Sequence, residues 1–549
     1  MKLEEIFLRE IVLWRCMRAL GCVLLFQHFV SMGVCTIYRT VVAEGVINPL
    51  TILANLSTSW VMPAKLLSLT IPAICLILLA RVHINNYAVS AWIPMYQWQS
   101  WRRFFTFKVQ LGFSMITGAC VLLSSFYTSL ALPTFPQVFV RCSAEDVLCG
   151  PRKMAVICVG MFTGISYSMK YFLNNGNIIT PAPAHPRKLQ LIKSSLRMQK
   201  VKEACNTYGV SSFSLTCTVF LCIFASVVMC LSGGGSFPDV MHILELQLVM
   251  IVILSTLLLV TTLSVFSNIL NIFLSEPIEI PLTVDEDSTS GTEEDSWRLC
   301  HTLSSSGLLQ LLAFWDLKTL ASADPRSLLR RTQIFTISQP GGHPRNWLGI
   351  MNPSLNLVRK FTDRLRRHNC PEELPQEPPK PVEATDVNKN EVTKPPPVPL
   401  KERLTKIVMS LKRYPIFSYF LSELPDATNR SIFAEALPVI WAVEALGDLV
   451  AASFTEDKFG IVQRNIPDIL MAFVHLQKMV DSVGRVSVTR RASTSDNCQS
   501  DQQLRKALKL SLRTSIYIVT TTFGPTVLEM PVSGECRSKL QSYLEFKEA

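Results

Sequence analysis

Charged side chains are scarce in this chain. Asp, Glu, Lys and Arg make up 17% of its 549 residues, whereas globular domains carry about a quarter. Hydrophobic residues reach 49%, and long apolar runs fill the chain only up to about residue 274. This uneven shortage of charge excludes a single soluble domain and predicts that the first half is embedded in a membrane.

Motifs for catalysis, metal binding and nucleic-acid recognition are missing as well. The 16 cysteines include no CxxC pair, which argues against a zinc site. The sequence has no Walker phosphate loop, no HExxH, no GxSxG, and no GxGxxG after a strand pattern. The net charge of +11 comes without a compact Lys/Arg tract. We therefore predict no enzyme activity, no cofactor and no direct contact with nucleic acid.

The apolar runs predict an all-α protein, with a six-span helical membrane domain followed by a mostly helical soluble C-terminal region. A helix needs about 20 mostly apolar residues to cross a bilayer, and six segments have that length. They are residues 17–37, 61–80, 109–131, 154–173, 212–232 and 247–267.

The loops between these segments predict their orientation. The loops after the second and fourth spans hold ten Lys and Arg residues, and the other three loops hold four. Because positive loops stay in the cytoplasm, both termini are predicted to be cytosolic. His28 is the one titratable residue well inside a span, and we interpret it as a buried, hydrogen-bonded side chain rather than a proton relay. Gly160 and Gly164 form a GxxxG pattern that favours close helix packing.

Composition divides the chain into four predicted regions. The membrane domain covers 1–274, and an acidic linker with a first soluble helical and loop segment covers 275–370. A Pro-rich linker occupies 371–400, where nine prolines cannot continue a helix or sheet. A C-terminal helical domain fills 401–549. Basic amphipathic stretches, such as 358–367, could lie on an anionic membrane, dock on a partner or bury one face in a core; we favour the last interpretation.

Three kinds of covalent modification are candidates. Cys142 and Cys149 share the second predicted lumenal loop, in an oxidising compartment, and we predict a disulfide between them. Asn55 lies in a glycosylation sequon close to the membrane in the first predicted lumenal loop. Ser493 follows two arginines in a polar stretch and resembles a site for a basophilic kinase.

Two long blocks in the second half are distinctive: residues 338–347, ending in Asn346-Trp347, and residues 449–460. Shorter blocks accompany them: Leu13-Trp14-Arg15, Tyr171-Phe172-Leu173-Asn174-Asn175, Thr520-Thr521-Thr522-Phe523-Gly524 and Leu544-Glu545-Phe546-Lys547-Glu548. Together these blocks resemble a family of transmembrane nucleoporins, the nuclear division cycle protein one family. The resemblance runs from the first span to the C-terminus, although the Pro-rich linker looks shorter here than in vertebrate members.

The resemblance implies a structural protein of the nuclear envelope, at the pore membrane, with six spans and both termini on the cytosolic and pore side. It implies that the chain anchors the scaffold of the nuclear pore complex and supports insertion of new pores. The implied partners are the lipid bilayer and scaffold nucleoporins, including aladin-type WD-repeat and membrane-binding nucleoporins. Phe-Gly repeats are absent, so we do not expect a cargo filter. The alternatives are a general endoplasmic-reticulum or nuclear-envelope scaffold, and a membrane enzyme or transporter with an unrecognised site.

Two regions of the second half are candidates for partner contact. The loop of residues 338–347 combines paired glycines with flanking prolines, which favours a fixed shape over a flexible connector. The turn at 454–459 follows an apolar stripe over 433–450 that we interpret as core. The candidate contact residues are Gln339, Pro340, Gly341, Gly342, His343, Trp347, Phe454, Glu456, Asp457 and Phe459.

Overall fold

The computed structural model shows an all-helical protein. In the part of the chain that it describes, no strand is present, which confirms the predicted all-α fold. The chain divides into two compact units, Met1–Val89 with Arg103–Glu276, and Ser90–Arg102 with Pro277–Ala549. The described residues are 7–43, 45, 48–61, 69–131, 149–179, 188–206, 210, 246–282, 298–322, 327–337, 342–369, 419–420, 427–486 and 496–545.

Helices form the described part of the first unit, and the longest of them are apolar. They are α1 (Leu13–Tyr38), α2 (Pro49–Val61), α3 (Thr70–Asn86), α4 (Gln97–Phe104, which begins in the second unit), α5 (Phe107–Ala131), α6 (Cys149–Leu173), α7 (Lys188–Ser195), α8 (Met198–Ala204) and α9 (Leu246–Leu274). Four of these, namely α1 with its flanking turns, α5, α6 and α9, are long and apolar enough to cross a membrane. They correspond to the first, third, fourth and sixth predicted spans.

The second predicted span has different bounds. We predicted 61–80, whereas the described helix α3 covers Thr70–Asn86. Its polar end remains helical because neighbouring groups satisfy it: His83 Nε2 lies 3.0 Å from the Tyr167 hydroxyl, and the Asn86 carbonyl accepts a 2.7 Å bond from Asn177. The fifth predicted span, 212–232, lies outside the described residues, so the count of six remains a prediction.

Helices α5 and α6 pack with almost no space between their backbones. A Cβ atom built on Gly160 would lie 2.4 Å from the Val121 Cα atom, and one on Gly164 would lie 2.8 Å from the Thr117 Cα atom. No larger side chain fits there without separating the helices. The predicted role of the GxxxG pattern in close packing is therefore confirmed.

Polar side chains join the helices of this unit. Tyr127 on α5 accepts a 2.8 Å bond from Gln27 on α1, and its hydroxyl lies 2.7 Å from Thr262 on α9. Since lipid offers no hydrogen bonds, such contacts favour one arrangement of helices. His28 is buried, as predicted, but its Nδ1 atom has no hydrogen-bond partner among the described residues. The predicted burial is therefore confirmed, whereas the predicted hydrogen bond is not seen at Nδ1.

The outer face of the first unit is apolar. Large hydrophobic side chains are exposed on most of its long helices, for example Leu13, Leu25 and Phe29 on α1, Ile71, Ile74 and Ile77 on α3, and Ile253 and Leu257 on α9. A soluble protein rarely exposes so many large apolar side chains on neighbouring helices. At the cytosolic end predicted for α9, Arg15 donates to the carbonyl oxygens of Leu274 and Glu276, at 3.3 and 2.6 Å. A guanidinium suits the carbonyl end of a helix.

The described part of the second unit is helical as well. They are α10 (Leu299–Leu303), α11 (Gly307–Ala321), α12 (Leu328–Thr332), α13 (Arg345–Asn369), α14 (Ala427–Ala434), α15 (Ala436–Glu456), α16 (Ile466–Val486), α17 (Asp496–Phe523), α18 (Thr526–Glu529) and α19 (Gly534–Leu544). Helix α15 lies at the centre, with α11, α13 and α17 packed on it. Trp315 on α11 meets Trp441 on α15 edge to face, with ring centroids 4.9 Å apart.

Helix α15 is also long and apolar enough to cross a membrane, but protein covers its sides. Phe454, near its end, is its one exposed large apolar side chain, whereas α1, α3 and α9 each expose several. An all-round apolar helix with such a cover is a core helix. Of the predicted core stripe, Phe433, Ile440, Val443, Leu446 and Val450 are buried, and Leu437 is half-buried.

Two acidic residues, Glu444 and Asp448, occur within the otherwise apolar sequence of this core helix. Glu444 pairs with Lys318 on α11 at 2.5 Å. Burial raises the pKa of Asp448, one turn further along α15, from 3.8 to about 6, and the nearby Glu444 carboxylate adds to the rise. The folded unit therefore holds a proton on Asp448 at a pH where the unfolded chain has already lost it.

Candidate docking surface

The predicted contact loop ends in a buried anchor. Trp347 lies in the first turn of α13 and is fully buried, and its indole Nε1 donates to Asn465 Oδ1 at 3.2 Å. Gly342 has a φ of +64°, which suits glycine. The Asn346 side chain donates to the Gln333 carbonyl at 3.1 Å. These contacts fix the end of the loop to the fold, although residues 338–341, which include Gln339, Pro340 and Gly341, lie outside the described residues.

The predicted contact turn is held by one carboxylate. Asp457 follows the last residue of α15, and its two oxygens accept from the backbone N–H groups of Phe459 and Val462, at 3.1 and 2.9 Å. Gly460 has a φ of +65°, and Val462 is fully buried. This Asx-type turn gives residues 457–462 a defined shape, which presents the side chain of Phe459 outward.

A bidentate ion pair holds the residue that precedes this turn, Glu456. Arg331 on α12 donates through Nε and Nη2 to the carboxylate of Glu456, with an Nε–Oε2 distance of 3.0 Å. Its Nη1 atom donates to the carbonyl oxygens of Ala321 and Ser322. Both charged side chains are largely buried, where a bidentate pair has high geometric specificity. Glu456 is therefore a positioning residue rather than an exposed contact.

Exposed aromatic rings lie beside this rigid support. Phe454 and Phe459 are 62% and 63% exposed, and Phe454 rests edge-on against Phe523 at a centroid distance of 5.5 Å. Leu329, two residues before Arg331, is 80% exposed. We call Phe454 and Phe459, with the supporting Glu456 and Asp457, the phenylalanine turn. Large exposed apolar side chains on a fixed backbone are typical of protein interaction sites.

The structure joins the two predicted regions. Asn465 follows the phenylalanine turn in the chain and accepts from Trp347, so this hydrogen bond links the end of the 338–347 block to the segment that follows the turn. His343 is exposed beside this junction. Arg331 and Asn465 were missed in the sequence, because their roles depend on partners 125 and 118 residues away. The adjacent Arg330 and Arg331 in a largely apolar stretch could have indicated a buried ion pair.

The candidate modification sites are only partly described. Asn55 is exposed on α2, and its Nδ2 atom lies 3.4 Å from Thr40 Oγ1. Cys142 and Ser493 lie outside the described residues, and for Cys149 only the helical backbone at the start of α6 is described. The disulfide and phosphorylation hypotheses therefore remain predictions.

A cavity of about 360 Å³ lies between α13, α16 and the start of α19. Its lining mixes Arg359, His475 and Lys478 with Asp468 and Glu535. The Lys478 ammonium, 2.6 Å from Glu535, holds the pKa of that carboxylate below its usual range. In the described part of the chain, no three His, Cys, Asp or Glu side chains converge as a metal site would need.

Comparison with known proteins covers almost the whole chain. A family model described as "Nucleoporin protein Ndc1-Nup" matches residues 10–418 and 387–541. "Nucleoporin NDC1" of Homo sapiens is 25% identical over 559 residues, which cover 80% of this chain and 82% of that protein. The Xenopus laevis protein is 25% identical over 78% of this chain and 83% of its own. "Nucleoporin ndc-1" of Caenorhabditis elegans is 26% identical over 47% and 45%.

Proposed function

Because this chain belongs to the Ndc1-Nup family, and is thus a membrane nucleoporin of the nuclear pore complex, we propose that it anchors the pore scaffold through the phenylalanine turn. The family indicates a structural rather than a catalytic role. The apolar helices of the first unit hold the chain in the pore membrane. The second unit then supplies the surface on which a scaffold protein docks.

This proposal rests on the contrast between the buried residues that hold the phenylalanine turn and the exposed phenylalanine rings. Trp347, Arg331 and Glu456 are buried or nearly buried and hydrogen-bonded, whereas Phe454 at the end of α15 and Phe459 in the turn that follows are exposed to solvent. Exposed aromatic side chains cost solubility, and a rigid turn costs chain entropy. A partner with a complementary apolar pocket would cover both rings without ordering the backbone further, which favours affinity.

The test is the full chain with Phe454→Ala and Phe459→Ala together. We expect normal membrane insertion, normal thermal stability and loss of scaffold nucleoporins from affinity-purified complexes, because truncating central aromatic contacts costs about 2 kcal/mol or more each. Leu510→Ala is the matched control, since Leu510 is 66% exposed on α17 outside the turn. Unchanged recruitment by the double variant, with the control also unchanged, would refute the phenylalanine turn as the docking surface.

The specific partners and the orientation belong to the same proposal. The resemblance points to aladin-type WD-repeat and membrane-binding nucleoporins as the proteins that dock. Ten positive residues in two loops against four in the other three support termini on the cytosolic and pore side. A C-terminal tag that resists protease in sealed microsomes would contradict that orientation. Localisation at the pore rim, rather than throughout the endoplasmic reticulum, distinguishes a pore anchor from a general scaffold.

Regulation by phosphorylation is part of the proposal as well. Ser493 follows Arg490 and Arg491 in the segment between α16 and α17. A phosphate adds nearly two negative charges and would repel an acidic partner or attract a basic one. Phosphosite mapping across the cell cycle tests this idea, and an unoccupied Ser493 in every phase would remove it.

A further inference from the structure

The outer face of α13 carries a compact basic stripe. Lys360, Arg364 and Arg367 are exposed there together with Arg359 and Arg366, and Asp363 is the one acidic side chain among them. At 100° per residue these positions cover roughly 160° of the helix circumference, and they extend over about 12 Å of its length. Arg364 is paired with Glu435 of the second unit. The stripe therefore keeps a clear positive excess.

The opposite face of α13 is already occupied. Val358, Phe361 and Leu365 are buried in the second unit, which confirms the interpretation that this amphipathic stretch buries one face in a core. The helix cannot insert its apolar side chains between lipids while the unit stays folded. Any ligand of the basic stripe must therefore bind mainly through its negative charge, carried by phosphate or carboxylate groups.

The membrane that holds the first unit can supply such a ligand. The first unit is embedded in a membrane, and the larger part of the second unit begins at Pro277, the next residue in the chain after Glu276 of the first unit. Covalent attachment gives an effective concentration far above that of any dissolved partner. A membrane surface that contains acidic phospholipids attracts clustered Lys and Arg side chains, and the attraction adds up over the cluster.

We propose that the basic stripe of α13 is a binding site for anionic phospholipid headgroups. The contact is electrostatic and peripheral, with no insertion of the helix. It is separate from the phenylalanine turn, so the second unit has one surface for lipid and another for protein. This proposal rests on the membrane anchoring of the chain and not on which scaffold protein it recruits.

The experiment uses the full chain in nanodiscs of neutral phosphatidylcholine, with sedimentable vesicles added from outside. We expect co-sedimentation with vesicles that contain phosphatidylserine, weak binding to pure phosphatidylcholine, and release as salt is raised. Lys360→Glu with Arg367→Glu should weaken binding at least about 25-fold, because each lost basic residue costs about fivefold. These two residues lie on one line of the helix, seven positions apart.

The matched control reverses two other exposed arginines, Arg513→Glu with Arg537→Glu, which changes the net charge equally. A much smaller loss in this control supports a localised site, whereas an equal loss in both variants would overturn it. Equal binding to neutral and acidic vesicles would overturn it too. The proposal is also refuted if the stripe variant loses a protein partner but keeps its vesicle binding. Scaffold recruitment through Phe454 and Phe459 should persist in the stripe variant.

Discussion

Replacement of Trp347 by alanine should loosen α13 without disturbing the membrane unit. A tryptophan buries up to about 250 Å², and about 25 cal/mol per Å² then sets an upper limit near 6 kcal/mol. The indole bond to Asn465 contributes about 1 kcal/mol. Because alanine keeps part of this burial, we expect a loss of about 4 kcal/mol, within the range of about 3–5 kcal/mol for buried aromatics.

Hydrogen–deuterium exchange of the full chain in nanodiscs measures this loss. A drop of about 4 kcal/mol should speed the exchange of protected amides in α13 by roughly a thousandfold. Amides of α5 and α6, in the first unit, should keep their rates and serve as the internal control. Trp347→Phe, which keeps a ring but loses the N–H donor, should cost about 1–2 kcal/mol.

The same variant separates an anchor from a connector. If α13 amides in the Trp347→Ala protein exchange within tenfold of the wild-type rate, the energetic argument is wrong. If the variant opens as expected but still recruits every scaffold partner, the loop before α13 plays no part in docking. The surface would then lie elsewhere in the second unit.

Three further outcomes are expected. Gly160→Ala should lower the melting temperature in detergent, because its Cβ would meet the α5 backbone, whereas Gly118→Ala, which has open space, should not. Asp448→Asn should stabilise the second unit above pH 6 but not below pH 4. The reason is that the pKa of Asp448 is raised in the folded state, so the wild-type unit loses stability as the pH rises between those values. Equal stabilisation above pH 6 and below pH 4 would contradict this reasoning. Alkylation without reductant, followed by mass spectrometry, should find Cys142 linked to Cys149, and full alkylation of both would reject the disulfide.

Apolar patterning predicted what depends on the local chain. Runs of hydrophobic residues located α1, α5, α6 and α9, and three- and four-residue spacing located the core face of α15. Burial of apolar surface dominates these elements, so composition alone indicates them.

Contacts between distant residues escaped prediction. Helix α3 extends past its apolar run to Asn86 because Tyr167 and Asn177 satisfy its polar end. Glu456 was predicted as a candidate for partner contact, and the structure shows its carboxylate largely buried and paired with Arg331. These features are set by which side chains meet after folding, and no local pattern records that meeting.

The cover over α15 has a consequence for biosynthesis. During translation this helix leaves the ribosome before α17, so the apolar surface that α17 covers in the folded unit is at first exposed. The insertion machinery recognises membrane spans by their hydrophobicity, and α15 is hydrophobic enough to be inserted as a span. An aspartate near the helix centre opposes insertion by about 3 kcal/mol. Asp448, which weakens the finished fold at neutral pH, thus helps to keep α15 out of the bilayer until its neighbours arrive.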